Sequence, residues 1–327
     1  MNAQGRDQFG RKIEYLRISV TDKCNFRCVY CMPSEGLEWL PKKEILSYEE
    51  IAGIVRQFAL EGISRLRITG GEPTIRPNLE QLISMLRAIE GIDDIALSTN
   101  GVRLPELAQL YAAAGLDRVN ISVDSLQPDR IARIARRDMG FDPIASARAA
   151  ERAGLSPVKL NMVVMRGIND DEIIDMARLT LDHPWHVRFI ELMPVGSMRD
   201  VTWEHIVPSD EVLDRLSSIA PLEQRTNAIK GNGPAKYFGF SGAAGSLGVI
   251  TPMTHTYCAS CNRVRLTADG RLRTCLFGDH ETGVRDAFRG GDDVRAIFRQ
   301  ALSQKPLEHE LLQMRVGGLH ALSETGG

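Results

Sequence analysis

A chain of 327 residues with 40 basic against 42 acidic side chains has room for a large core, and its formal net charge of -2 recruits neither nucleic acid nor an anionic membrane. Six cysteines in that length are too few for a disulfide scaffold, and no apolar run approaches the roughly 18 residues of a membrane span. Met1 to Glu14 is polar and lacks the apolar stretch of a secretory signal, so a reducing, cytoplasmic setting is expected.

Strand and helix signals alternate through the first two-thirds. Glu14–Val20 is a strand candidate, and Ser47-Tyr48-Glu49-Glu50 is a capping box that opens an amphipathic helix to about Leu60. Arg65–Thr69 reads as a strand, Asn78–Ile89 as a helix, Ile95–Thr99 as a strand and Pro105–Ala114 as a helix. Val119–Val123 and Val158–Val164 are further strands, with charged and helical segments between them. Asp171–Leu179 is a helix and Val187–Leu192 a sixth strand. A (βα)6 rhythm implies parallel strands joined by right-handed crossovers. Gly70-Gly71-Glu72, Asn100-Gly101, Asp124-Ser125 and Glu191 all follow strands, at the edge where parallel α/β folds build their sites.

The pattern changes after Pro194. His205–Leu216 carries short helical pieces, Gly231–Gly248 reads as loops and hairpins closing over a site, and Asp292–Ser303 is a late helix. A soft boundary near residue 200 therefore divides a 1–200 core from a 201–327 region that packs on it.

All six cysteines fall into two triplets. Cys24, Cys28 and Cys31 follow the first strand as C-x3-C-x2-C, whereas Cys258, Cys261 and Cys275 form C-x2-C-x13-C far downstream. Three thiolates can hold three irons of a cubane 4Fe–4S cluster and leave the fourth iron open for chemistry. A structural zinc site needs four ligands, and no histidine lies beside the first triplet. At the second triplet, His255 keeps the zinc alternative open.

Basic residues recur with strand alternation. Arg263 and Arg265 follow Cys261 directly, Arg65 and Arg67 repeat the spacing, and Arg17, Lys159 and Arg188 lie on the first, fifth and sixth strands. Interior-facing charges need a partner, and a triphosphate is a compact one that satisfies many donors.

The first triplet resembles the signature of radical S-adenosylmethionine enzymes. Cys24–Cys31, Arg65–Pro73, Ser98–Gly101, Asn120–Ser125, Lys159–Asn169, Arg188–Gly196, Cys258–Arg265, Cys275 and the terminal Gly326-Gly327 together are similar to the GTP 3′,8-cyclases of molybdenum-cofactor biosynthesis. The resemblance implies a partial (βα)6 TIM-like barrel with a C-terminal extension carrying a second Fe–S cluster. It implies S-adenosylmethionine on the open iron of Cys24, Cys28 and Cys31, and a second 4Fe–4S cluster on Cys258, Cys261 and Cys275. It places Tyr30, Gly71, Thr99, Ser122 and Met193 near the cofactor. It places Arg17, Arg65, Arg67, Lys159, Arg188, Arg263 and Arg265 on the substrate, with Arg65 standing where lysine is frequent. It gives Arg17, Gly326 and Gly327 a catalytic part, the tail reaching into the substrate cavity.

The implied reaction takes the C3′ hydrogen of GTP with a 5′-deoxyadenosyl radical and joins C3′ to guanine C8. The implied partners are GTP, an external electron donor and the cyclic pyranopterin monophosphate synthase that acts next; a homodimer stays open. Two other readings compete. A peptide maturase with an auxiliary cluster usually carries a longer downstream cysteine array. A two-cluster electron carrier explains the thiols but not the arginines or the large βα body.

Overall fold

The computed structural model describes residues 5–194, 202–225, 233–278 and 280–309. In chain order these form β1 (Tyr15–Ser19), α1 (Tyr48–Ala59), β2 (Arg65–Thr69), α2 (Leu79–Arg87), β3 (Asp94–Thr99), α3 (Leu104–Ala113) and β4 (Arg118–Ser122). Two helices, α4 (Pro128–Ala135) and α5 (Pro143–Arg152), precede β5 (Val158–Val164), α6 (Ile173–Asp182) and β6 (His186–Glu191). Then come α7 (Ser209–Ser217), β7 (Leu222–Gln224), β8 (Lys236–Phe240), β9 (Ser246–Ile250), β10 (Arg263–Leu266), β11 (Arg271–Arg273) and β12 (Glu281–Gly283). Helices α8 (Arg285–Gly290) and α9 (Val294–Ser303) end the described chain. The expected capping box forms at α1: the Ser47 hydroxyl accepts from the Glu50 amide at 3.2 Å, and the Glu50 carboxylate accepts from the Ser47 amide at 2.7 Å. Such a cap contributes about 1 kcal/mol to helix stability.

All twelve strands join one mixed sheet, ordered β12-β11-β10-β1-β2-β3-β4-β5-β6-β9-β8-β7. The six expected strands lie side by side and parallel. The structure lengthens that row beyond the expected six, because β10 pairs parallel to β1 and β9 pairs parallel to β6. The stretch read as loops and hairpins closing over a site is, from β8 onward, a hairpin built into the sheet edge. Two of its glycines, Gly239 and Gly248, are strand residues that leave space for neighbouring side chains. A side chain at Gly248 would place Cβ 3.0 Å from Arg188 Cγ and 3.1 Å from the Tyr237 ring.

The strand period of two separates the sheet faces. Leu16, Ile18, Leu66, Ile68, Ile95, Leu97, Val119, Ile121, Leu160, Met162, Val187 and Phe189 form one face and are fully buried in the main core. Helices α9, α1, α2, α3 and α5 pack in that succession, and Phe58 of α1 meets Phe298 of α9 with ring centroids 4.4 Å apart. Residues of the opposite parity are Tyr15, Arg17, Arg65, Arg67, Asp94, Arg118, Asn120, Lys159, Asn161, Arg188 and Arg265. A face this polar is a poor place for structural packing and a good place for a charged ligand.

Candidate active site

The first cysteine loop leaves the C-terminal end of β1. Its backbone is pinned from two sides: the Arg27 and Val29 amides donate to the Ala135 and Ile134 carbonyls at the end of α4, at 2.8 and 3.0 Å. The Gly71 and Glu72 amides donate to the Thr21 and Lys23 carbonyls at 2.7 and 2.8 Å. Gly70 and Gly71 have a steric purpose there. A Cβ on Gly71 would sit 2.2 Å from the Lys23 carbonyl oxygen, and one on Gly70 2.6 Å from that of Thr21. The close backbone approach that the glycines permit is to the cysteine loop itself.

Cys24, Cys28 and Cys31 line a cleft of about 900 Å³, open to solvent, together with Tyr30, Gly71, Thr99 and Ser122. Met193 stands next to it, packed with Tyr30 and Val29 on the apolar cluster of Ile134, Met165, Leu192, Ile206 and Met253. Two carboxylates that sequence reading did not select as site residues organise the cleft. Glu72 accepts from Thr99 Oγ1 at 2.7 Å, the Asn100 amide at 2.7 Å, and the Thr74 amide and hydroxyl at 3.0 and 2.6 Å. Asp124 accepts from the Tyr30 hydroxyl at 2.7 Å and the Val163 amide at 2.9 Å. Burial pushes the Asp124 carboxyl up to about 6, against both hydrogen bonds. The advance signal was position, three residues past β2 for Glu72 and two past β4 for Asp124, inside segments that carry the family resemblance. Burial also pushes the Cys24 thiol up to about 12, with Glu72 adding to the rise.

The polar sheet face carries the basic residues into one array. Register places Arg265, Arg17 and Arg67 side by side across β10, β1 and β2. Arg67 donates to the Tyr15 hydroxyl and, at 3.0 Å, to Ser98 Oγ of the cleft. Arg188 donates to Asn161 Oδ1 at 2.8 Å, and Lys159 Nζ lies 5.8 Å from the centre of the Tyr237 ring. Arg65 starts β2, opposite Tyr15 and Asp94, on the same face. Tyr15, Asn161 and Tyr237 escaped the sequence reading because neutral polar residues on strands carry no signal of their own. Burial and like charge lower Lys159, Arg265 and Arg17. Burial, then Arg188, Arg118 and Arg67, push Lys159 down to about 6. Burial and Arg263 push Arg265 down to about 10, and burial, Arg265 and Arg67 hold Arg17 well below its ordinary value. Bringing an anion to this face reverses that penalty.

The second triplet lies at the other end of the same strands. Cys261 stands two residues before β10, which runs parallel to β1, whereas Cys24 stands beyond the C-terminal end of β1. Five strand residues separate the two ends, roughly 17 Å. Cys258, Cys261 and Cys275 line one cavity with Tyr257, Arg263, Arg265 and His309. Arg263 and Arg265 thus link the second thiols to the cationic face. His255, the alternative zinc ligand, instead has Nε2 3.2 Å from Asp210 Oδ2. Among the described residues no three His, Cys, Asp or Glu side chains converge on the position of a single metal ion. Burial raises the Cys258 thiol, whereas at Cys261 burial is outweighed by Lys305 and Arg263, which bring it down to about 7. Each triplet offers three soft donors around a shared cavity, a set that fits a cluster with one iron left for another ligand. Gly326 and Gly327 lie outside the described residues.

The chain matches the Radical SAM superfamily model over residues 18–180 and the Molybdenum Cofactor Synthesis C model over residues 185–311. It is 47% identical over 312 residues to the GTP 3′,8-cyclase of Pelotomaculum thermopropionicum, covering 94% of this chain and 96% of that protein. It is 48% identical over 309 residues to the GTP 3′,8-cyclase of Moorella thermoacetica, covering 94% and 95%. Among solved structures, Streptococcus suis SuiB bound to S-adenosylmethionine superposes with a TM-score of 0.63 at 14% identity, covering 94% of this chain and 72% of that one, a likeness of fold. With relatives of that identity matched almost end to end, the chain belongs to the GTP 3′,8-cyclase family of the radical S-adenosylmethionine superfamily.

Proposed function

We propose that this protein converts GTP to 3′,8-cyclo-7,8-dihydro-GTP in molybdenum-cofactor biosynthesis, with S-adenosylmethionine at the first cysteine triplet and GTP on the cationic face. The observation that carries the reading is the row of Arg265, Arg17 and Arg67, continued by Lys159 and Arg188, between two thiol sets at opposite strand ends. Neither a peptide maturase nor a bare electron carrier calls for that array.

When bound, a 4Fe–4S cluster on Cys24, Cys28 and Cys31 and S-adenosylmethionine supply a 5′-deoxyadenosyl radical. The chain's own residues do the rest by position. Tyr30, Gly71, Thr99 and Ser122 shape the cofactor cleft, and Glu72 and Asp124 hold its hydroxyls in place. Arg17, Arg65, Arg67, Lys159, Arg188, Arg263 and Arg265 hold the triphosphate through charge-assisted hydrogen bonds. That anchor orients the ribose toward the cofactor and the base toward the second triplet, where Cys258, Cys261 and Cys275 would hold a second cluster able to take the guanine ring as a further ligand. Misplacement of about 1 Å in such a site costs on the order of a hundredfold in rate.

Within this reading the sheet curves as a partial barrel, residues 1–200 form the radical-generating core, and residues 201–327 carry the auxiliary cluster and part of the substrate site. An external reductant, a following cyclic pyranopterin monophosphate synthase and a cytoplasmic setting belong to the same reading; among the described residues no helix is long and apolar enough to cross a membrane.

The test is anaerobic reconstitution with iron and sulfide, followed by S-adenosylmethionine, reductant and each nucleoside triphosphate in turn. GTP should yield a cyclised product together with 5′-deoxyadenosine. Equal product from ATP or CTP, or none from GTP while the cofactor is cleaved, overturns the proposal.

A further inference from the structure

Lys305 follows α9 and is 2% exposed, a burial that lysine tolerates only with full compensation. Nζ donates to the Arg263 and Thr274 carbonyls, the first at 3.0 Å, and its positive charge acts on the Cys261 thiol. The two carbonyls belong to the residue two beyond Cys261 and the residue just before Cys275. One ammonium therefore ties together the backbone at two of the three second-set thiols.

The third segment is held from the other end of the chain. Arg11 Nη1 donates to the Cys258 carbonyl at 2.8 Å and to the Leu307 carbonyl at 2.9 Å, while Nη2 donates to the Pro306 carbonyl at 2.6 Å. Asp7 fixes that guanidinium from Oδ2 at 2.6 Å. The two cations differ in what they reach. Arg11 meets the Cys258 carbonyl, whereas Lys305 places a buried positive charge against a ligand sulfur.

We infer that Lys305 is a positioning residue of the second cluster, whose buried ammonium, hydrogen-bonded to the backbone beside Cys261 and Cys275, raises that cluster's reduction potential. The inference rests on the second-cluster reading proposed above. Hydrogen bonds to cluster sulfurs and nearby charge set Fe–S potentials, and a fixed cation stabilises the more negative, reduced state. Low local dielectric strengthens the effect relative to a surface lysine. A higher potential suits a group that must accept or relay an electron beside substrate.

The experiment uses the full chain carrying Cys24→Ala, Cys28→Ala and Cys31→Ala, so that the second set alone reports. Iron and sulfide are measured after anaerobic reconstitution, and the potential is read by EPR-monitored redox titration. With Lys305 present, about four irons per chain are expected. Lys305→Met and Lys305→Gln should lower the potential, cutting the reduced-to-oxidised ratio at fixed potential about tenfold, equal to about 59 mV for one electron. Lys305→Arg, which keeps the charge, should stay closer to the parent. An unchanged potential in both neutral variants overturns the inference while leaving the second cluster standing. Loss of iron from both neutral variants also overturns it, since Lys305 is then structural alone. If the background protein with Lys305 intact assembles no Fe–S cluster, the second-cluster reading itself fails.

Discussion

Lys159 is the residue whose charge state should report most directly on substrate. Its ordinary value of 10.5 falls to about 6 in the folded protein, because of burial and then Arg188, Arg118 and Arg67. The unfolded chain keeps this proton up to the ordinary value, whereas the folded chain loses it above about 6. Between those limits the unfolded state binds one proton more, so the ligand-free protein gains stability as pH rises, by about 1.4 kcal/mol per unit. The penalty is full below the folded value and gone above the unfolded one. At about pH 7.5, roughly three pH units below the ordinary value, the remaining penalty is at most about 4 kcal/mol. Lys159→Met should recover part of it as a higher melting temperature of the cluster-loaded protein.

A bound triphosphate restores the lysine's charge, so GTP binding should take up a proton. Calorimetric titration of GTP in two buffers of different ionisation enthalpy, near pH 8, should show close to one proton more for the parent than for Lys159→Met. Parent affinity should fall as pH rises from about 6, by up to about tenfold per unit, and the variant should lose that slope. Equal proton uptake by the two proteins would refute the placement of the triphosphate beside Lys159.

Four other outcomes are expected. Alanine at Cys24, Cys28 or Cys31 should abolish 5′-deoxyadenosine formation, whereas alanine at Cys258, Cys261 or Cys275 should lose cyclisation but keep some uncoupled cleavage; quantifying both products decides. Arg67→Ala or Arg265→Ala should weaken GTP binding by about 1.5–3 kcal/mol, the range of hydrogen bonds to charged groups, while guanosine binding changes little. Gly71→Ala forces a Cβ to 2.2 Å from the Lys23 carbonyl oxygen, so iron at the first triplet should fall while iron at the second is retained, as read by metal analysis in single-triplet backgrounds. Arg118→Met leaves the buried Asp94 carboxylate without the partner that holds it at 2.8 Å, and denaturation should show a loss of about 3–5 kcal/mol.

Local pattern carried much of this protein. The capping box at Ser47, the identical bounds of Arg65–Thr69 and Val158–Val164, the six-strand parallel row and the two cysteine triplets were all legible, because each depends on spacing along the chain. What sequence could not supply was adjacency between distant segments. Strand β10 beside β1 puts Arg265 next to Arg17, though 248 positions separate them, and no periodicity records a pairing of that range. The Gly231–Gly248 stretch read as loops and hairpins closing over a site, and the sheet instead takes up its hairpin as paired strands. At Gly248 the Arg188 side chain and the Tyr237 ring need the space, and only the packed sheet reveals that. Glu72, Asp124 and Lys305 are equally ordinary in sequence. Burial among the Thr99 hydroxyl, the Tyr30 hydroxyl and the Cys261 sulfur makes them parts of the site, since the cost of burying a charge is set by its neighbours in space.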